Sequence, residues 1–145
     1  MMRRVGEAVR SDINYRSRPG VYALLPLDAG ILLTHQERPE PELQLPGGGI
    51  DPGESPLQAL HREVFEETGW RIASPRRLGF YRRFVFMPEY ELWAEKICTI
   101  FVAHPVRRIS EPGEDGHSAV FTDWETAATR VASTGDRMFI KNFRK

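Results

Sequence analysis

The chain has 145 residues, about one domain's worth. At 41% hydrophobic it carries enough apolar side chain for a single buried core, which argues against disorder and against a disulfide-stapled miniprotein. Twenty Lys and Arg balance twenty Asp and Glu, so binding of long duplex nucleic acid over the whole surface, which needs net positive charge, is not expected. Cys98 is the only cysteine, which excludes an intrachain disulfide and a cysteine-based zinc site and fits a reducing, cytoplasmic setting.

Residues 1–20 are basic, with Arg3, Arg4, Arg10, Arg16 and Arg18 against Glu7 and Asp12, but hold no apolar run of signal-peptide length. They read as a solvated or loosely packed arm before one domain over residues 21–145. No stretch approaches the ~18 apolar residues of a membrane span, so no membrane partner is expected.

Val21 to Leu27 and Ile31 to His35 are apolar runs around Asp28-Ala29-Gly30, the pattern of a β-hairpin. Glu37 to Glu42 is a loop by composition, and Leu43 to Pro46 suggests a short strand. Three glycines, Gly47-Gly48-Gly49, then permit positive φ and close backbone approach to a ligand. Ser55 as N-cap, Pro56 at the first position and Gln58 three residues after Ser55 predict a helix from Pro56 to Thr68, stopped by Gly69. Leu78 to Phe86 and Lys96 to Val102 have the β-branched and aromatic content of strands, with a turn at Pro88 to Glu91 between them. Thr122-Asp123-Trp124-Glu125 reads as a second capping box opening a helix to about Ala132, and Met138 to Phe143 as a last short helix. Strands broken by helices without regular βαβ spacing predict an α+β fold, a mixed sheet with helices on its faces.

The first helix carries the chemistry. At about 100° per residue, Leu57, Leu60, Val64 and Thr68 share one stripe, and Glu63, Glu66 and Glu67 crowd an arc of about 100° beside it. Like charges at this spacing each cost a few tenths of a kcal/mol, and more where burial lowers the dielectric. A hard divalent cation, Mg²⁺ above all, offsets that repulsion and completes its shell with water and phosphate oxygens. Arg62, directly before Glu63, can pair with Glu54 eight residues earlier and orient the remaining acids.

Gly48, five residues, Glu54, seven residues, then Arg62-Glu63-Val64-Phe65-Glu66-Glu67-Thr68-Gly69-Trp70 resembles the Nudix box of the Nudix hydrolases. Eight of its nine specified positions are met; the ninth, usually aliphatic, is Trp70. The resemblance implies an α/β/α sandwich around a mixed sheet and hydrolysis of a phosphoanhydride bond in a nucleoside diphosphate linked to another moiety, a small nucleotide-derived substrate. It implies Mg²⁺, or alternatively Mn²⁺, held by Glu63, Glu66 and Glu67 with the Gly48 carbonyl, and Arg62 with Glu54 as an orienting pair. A homodimer through the N-terminal arm is a further implied possibility.

The general base is a box glutamate or an acid of the loop Glu111-Pro112-Gly113-Glu114-Asp115-Gly116-His117, among which Glu114 is preferred and His117 reads as a bystander. Arg76, Arg77, Arg82 and Arg83, with Phe80, Tyr81, Phe84, Phe86, Tyr90 and Trp93, include candidates for phosphate contact and base stacking, although most such side chains are rim and core. In the family, a proline about sixteen residues past the box, or a tyrosine slightly further, accompanies particular substrates. Here those offsets bring Phe86, Met87 and Pro88, with Tyr90 later, which leaves the substrate open. A catalytically silent nucleotide-binding sensor of the same fold is the alternative from another class. Hydrolysis of RNA 5′ ends is a third reading.

Overall fold

The computed structural model describes residues 3–144. Its elements in chain order are β1 (Arg3–Gly6), β2 (Arg16–Leu27), β3 (Gly30–Gln36), β4 (Glu42–Gln44), β5 (Gly47–Gly49), α1 (Pro56–Thr68), β6 (Trp70–Met87), β7 (Leu92–Arg108), β8 (His117–Thr122), α2 (Trp124–Arg130) and α3 (Thr134–Arg144). A single 3₁₀ turn at Pro88–Tyr90 links β6 to β7. Eight strands form one mixed sheet in the order β1-β6-β7-β2-β3-β4, with β5 on β2 and β8 on β3. β2 is the hinge of this arrangement. Its residues 16–24 run parallel to β7, and Leu25 to Leu27 pair antiparallel with β3 as the expected hairpin.

Alternation along β2 divides the core. Val21, Ala23 and Leu25 face α1, where they meet Ala59, Leu60 and Val64 together with Ile72, Phe101 and Ala103. Leu24 points the other way, into a cluster with Ile100, Tyr81 and Cys98 of the sheet and Trp124, Ala127, Val131 and Ile140 of the C-terminal helical segment. α1 therefore covers one face and α2 with α3 the other, the α/β/α sandwich that the family resemblance implies. Each fully buried Leu, Ile or Val contributes about 1.5–3 kcal/mol to this packing.

α1 begins and ends where its residue chemistry requires. Ser55 Oγ accepts the Gln58 backbone N–H at 3.1 Å, and the Gln58 side chain accepts the Ser55 N–H at 2.8 Å; such a cap contributes about 1 kcal/mol. Gly69 ends the helix at φ 77°, its N–H donating to the Phe65 carbonyl, and a Cβ there would run into the Ser110 carbonyl.

Several expectations are corrected. Leu57 is 45% exposed, because the buried stripe of α1 is centred on Leu60, Val64 and Thr68 and takes in Glu67 instead. The three glycines form β5, and only Gly47 has positive φ, at 156°. Asp123, not Thr122, caps α2: its Oδ1 accepts the Thr126 N–H at 2.7 Å, while Thr122 remains in β8. The last helix starts at Thr134, earlier than Met138. The N-terminal segment is less detached than a loose arm. β1 pairs with β6, Val5 joins the core, and Arg16 to Gly20 already belong to β2, so among the described residues of this segment only 7–15 run outside the sheet. No helix among the described residues is long and apolar enough to cross a membrane.

Candidate active site

Arg62 is the hub of the site. Its Nε and Nη2 donate to Glu54 Oε2 and Oε1 at 2.7 and 2.8 Å, a bidentate fork. Nη1 reaches Glu63 Oε1 at 2.9 Å and Glu66 Oε2 at 3.3 Å, and Nη2 also donates to the Gly49 carbonyl at 3.1 Å. One guanidinium thus fixes the loop ahead of α1 and two carboxylates on α1. It holds the Glu54 carboxyl down to about 2, with help from the Asp51 backbone N–H.

Glu63 shares that guanidinium with other acids, and Glu67 has no arginine partner among the described residues. Burial pushes the Glu63 carboxyl above the usual range; Arg62 opposes this, while Glu66 and Glu114 add to it. Glu67 is 5% exposed, and burial raises it well above the ordinary value. The Gly47 N–H, which donates to Glu67 Oε1 at 2.9 Å, only partly compensates. The close approach expected of the glycines falls on Gly48, where a Cβ would lie 2.7 Å from the Glu63 carboxyl.

Of the three acids on the late loop, the structure brings only Glu114 to this cluster. Its backbone N–H donates to the Glu66 carbonyl at 2.9 Å, tying the loop to the end of α1. Glu111 pairs with Arg108, and Asp115 is held by Arg38 at 3.1 Å, both largely exposed. His117, read from sequence as a bystander, belongs to the site. Its Nδ1 lies 3.0 Å from the buried Thr34 hydroxyl, and its Nε2 lies 3.6 Å from Glu114 and 3.8 Å from Glu67. The missing signal was the pairing of β8 with β3, which sets Thr34 two positions along from the Gln36–His117 pair. No local pattern in either segment announces it.

The carboxylates form two overlapping groups, Glu63, Glu66 and Glu114, and Glu67, Glu114 and His117, with the ligating atoms of each within 4.8 Å of one another. Arg62 pairs with Glu54, Glu63, Glu66 and, at 3.4 Å, Asp51, whereas Glu67 and Glu114 have no arginine partner among the described residues. Glu67 is buried and Glu63 half-buried, and burial, with the neighbouring carboxylates adding to it, pushes both toward protonation. This oxygen-rich, under-neutralised cage fits a hard divalent cation; Glu63, Glu66 and Glu67 would hold it, with the Gly48 backbone alongside.

A cleft of about 610 Å³ runs from Glu63, Glu67, Glu114 and His117 past β5 and Tyr22 to Arg83 and Lys96. Of the aromatics and arginines of β6 and the turn after it, Tyr81, Arg83 and Tyr90 line it. Others are engaged elsewhere, Arg82 with Glu95, Arg77 over Phe80, Phe84 against Tyr15, and Phe86 against Trp93, and Arg76 is exposed away from the cleft lining. At the cleft floor the Tyr81 hydroxyl donates to Asp136 at 2.6 Å, and burial lifts the Asp136 carboxyl to about 6.

A family model described as NUDIX domain matches residues 16–143. Among similar proteins, one named putative 8-oxo-dGTP diphosphatase, of Bacillus subtilis, is 35% identical over 74 residues, 51% of this chain and 50% of that protein. An RNA pyrophosphohydrolase of Bartonella henselae is 32% identical over 114 residues, 68% of this chain and 66% of that protein. The matches thus span half to two thirds of these relatives' length. Among solved structures, a NUDIX hydrolase from Nitrosomonas europaea superposes with TM-score 0.75 at 20% identity, covering 89% of each chain. A MutT protein from Bacillus halodurans does so with TM-score 0.70 at 20% identity, covering 86% of this chain and 80% of that one.

Proposed function

The chain belongs to the NUDIX domain family, and we propose that it hydrolyses a phosphoanhydride bond in a nucleoside diphosphate linked to another moiety, with Mg²⁺ or Mn²⁺ as the metal. The observation that carries this reading is the cage itself: Glu63 and Glu66, held by Arg62, grouped with Glu114, which in turn is grouped with the buried Glu67 and His117. A nucleotide sensor that does not cut its ligand would gain nothing from such self-repulsion, so the catalytic reading is favoured over the binding-module alternative. The relatives described as an 8-oxo-dGTP diphosphatase and RNA pyrophosphohydrolases act on nucleotide anhydrides by name, which supports the same bond type here.

A bound divalent cation supplies charge neutralisation for the phosphate oxygens and lowers the pKa of a nearby water. The protein's own side chains do the rest. Arg62 and Glu54 lock the start of α1 against β5, which keeps Glu63 and Glu66 in register with the Gly48 backbone. Gly47 orients Glu67, and the Thr34 hydroxyl fixes the ring of His117 between Glu67 and Glu114. Glu114 is the proposed general base. It sits on the loop side of the cage, facing the acids of α1, with 44% of its side chain exposed to take a proton from water. The test is metal-dependent turnover of a nucleotide panel by the wild-type chain, with Glu114→Gln expected to lose activity while keeping metal affinity within a few-fold.

A further inference from the structure

The cleft has a second end that the hydrolytic reading leaves without a role. Strand register sets Arg83 of β6 opposite Lys96 of β7, and Lys96 opposite Arg18 of β2. Three cations therefore stand in one row across three adjacent strands, and all three line the cleft. Like charges directly opposite one another destabilise a sheet. Neighbouring Arg82, on the other face, has its charge met by Glu95 at 3.1 Å. Among the described residues, by contrast, no carboxylate is in ion-pair contact with Arg18, Lys96 or Arg83. Arg18 lies over the Tyr90 ring at 4.6 Å, and the Lys96 ammonium is 5.8 Å from the centre of the Tyr22 ring. The acids at this end are Glu89, which is exposed, and Asp136, which is buried and accepts the Tyr81 hydroxyl.

The spacing between the two ends is set by β2. Gly48, against which Glu63 packs, pairs with Val21, and Arg18 lies three residues earlier on the same strand. At ~3.3 Å per residue that is about 10 Å along the strand. The acid cage and the cationic row thus line one continuous cleft.

We propose that the row Arg18–Lys96–Arg83 is a subsite for a second phosphate of the substrate, carried on the side of the nucleoside away from the anhydride. This rests on the hydrolase reading, which places the anhydride at the acid cage. Guanidinium and ammonium groups without carboxylate partners are the donors that phosphate oxygens recruit. The substrate class is then a nucleotide bearing a further phosphate, either as a monoester or as the diester that links it to a following nucleotide.

Calorimetric titration of the full chain with Mg²⁺ present separates this subsite from catalysis, using ligands that contain no anhydride: AMP, adenosine 3′,5′-bisphosphate, and an adenylyl dinucleotide with a 5′-monophosphate. At least one of the last two is expected to bind about tenfold tighter than AMP. Lys96→Gln and Arg83→Gln each erode that advantage and leave the AMP affinity unchanged. Arg18→Gln, at a less enclosed position, gives the same loss if the Lys96 variant does not fold. Preference for the bisphosphate identifies a monoester and preference for the dinucleotide a diester; either upholds the subsite. Equal affinity for all three ligands, or an advantage that survives every replacement, overturns it. Anhydride turnover is measured separately. Turnover without the affinity advantage discards the subsite alone, whereas the advantage without turnover on any anhydride discards the hydrolase reading alone.

Discussion

Glu67→Gln separates the cost of the acid cage from its use. The glutamate is 5% exposed, faces Glu63, Glu66 and Glu114, and has one compensating donor, the Gly47 N–H. Glutamine preserves shape and can still accept that N–H through its carbonyl oxygen, while removing a buried charge surrounded by like charges. Without metal, the folded state should therefore gain stability. A gain of about 1 kcal/mol raises Tm by roughly 2–4 °C in a chain of this size. Catalysis should move the other way, with kcat falling at least ~10²-fold, the range lost when a charge-stabilising group is removed. Differential scanning calorimetry in EDTA and steady-state turnover at saturating Mg²⁺ read the two effects on one preparation. Near-normal turnover would refute the assignment of Glu67 to the metal cage, and a large drop in metal-free Tm would refute the claim that its charge strains the fold.

Gly48→Ala places a methyl 2.7 Å from the Glu63 carboxyl and should weaken Mg²⁺ binding and turnover together, measured by titration calorimetry and initial rates; unchanged metal affinity would show that Glu63 has room to move. Burial raises the Asp136 carboxyl from 3.8 to about 6, so the folded state takes up a proton that the unfolded state does not. Metal-free stability should rise as pH falls from 7.5 toward 5, as it also should for the raised Glu63 and Glu67, and Asp136→Asn should flatten the slope of Tm against pH below 7. A slope unchanged in Asp136→Asn would contradict that reading. Cys98→Ser should leave kcat unchanged: the thiol is buried, burial pushes it up to about 11, and it packs in the cluster under α2 and α3. Loss of activity in a folded Cys98→Ser protein would mean that the cleft floor takes part in chemistry.

Local rules carried the reading wherever a short segment determines its own structure. Ser55, Gln58 and Gly69 bound α1 through contacts within a few residues, so the boundaries followed from residue types alone. The Arg62–Glu54 fork was legible for the same reason, since a capped helix fixes the separation of its partners. What the sequence did not reveal depended on pairing between distant strands. Leu57 is exposed because the sheet meets α1 on the side of Leu60 and Val64, a rotation that periodicity does not set. His117 joined the site only through the pairing of β8 with β3, and Glu114 was singled out from Glu111 and Asp115 only by its backbone bond to α1. The row of Arg18, Lys96 and Arg83 is the extreme case: its members are far apart in the chain, and only the sheet register aligns them.

The central claim is hydrolysis at the acid cage, and a substrate screen tests it most directly. The panel holds nucleoside triphosphates, oxidised purine triphosphates, ADP-ribose, nucleotide sugars, dinucleoside polyphosphates, NADH and short 5′-triphosphorylated oligonucleotides. Each is assayed with Mg²⁺ and with Mn²⁺, and Glu67→Gln serves as control. The account predicts metal-dependent release of phosphate or nucleoside monophosphate from one class of substrate, abolished in the variant. Nucleotide binding without turnover on any member, with either metal, would contradict it and assign the chain to the sensor reading instead.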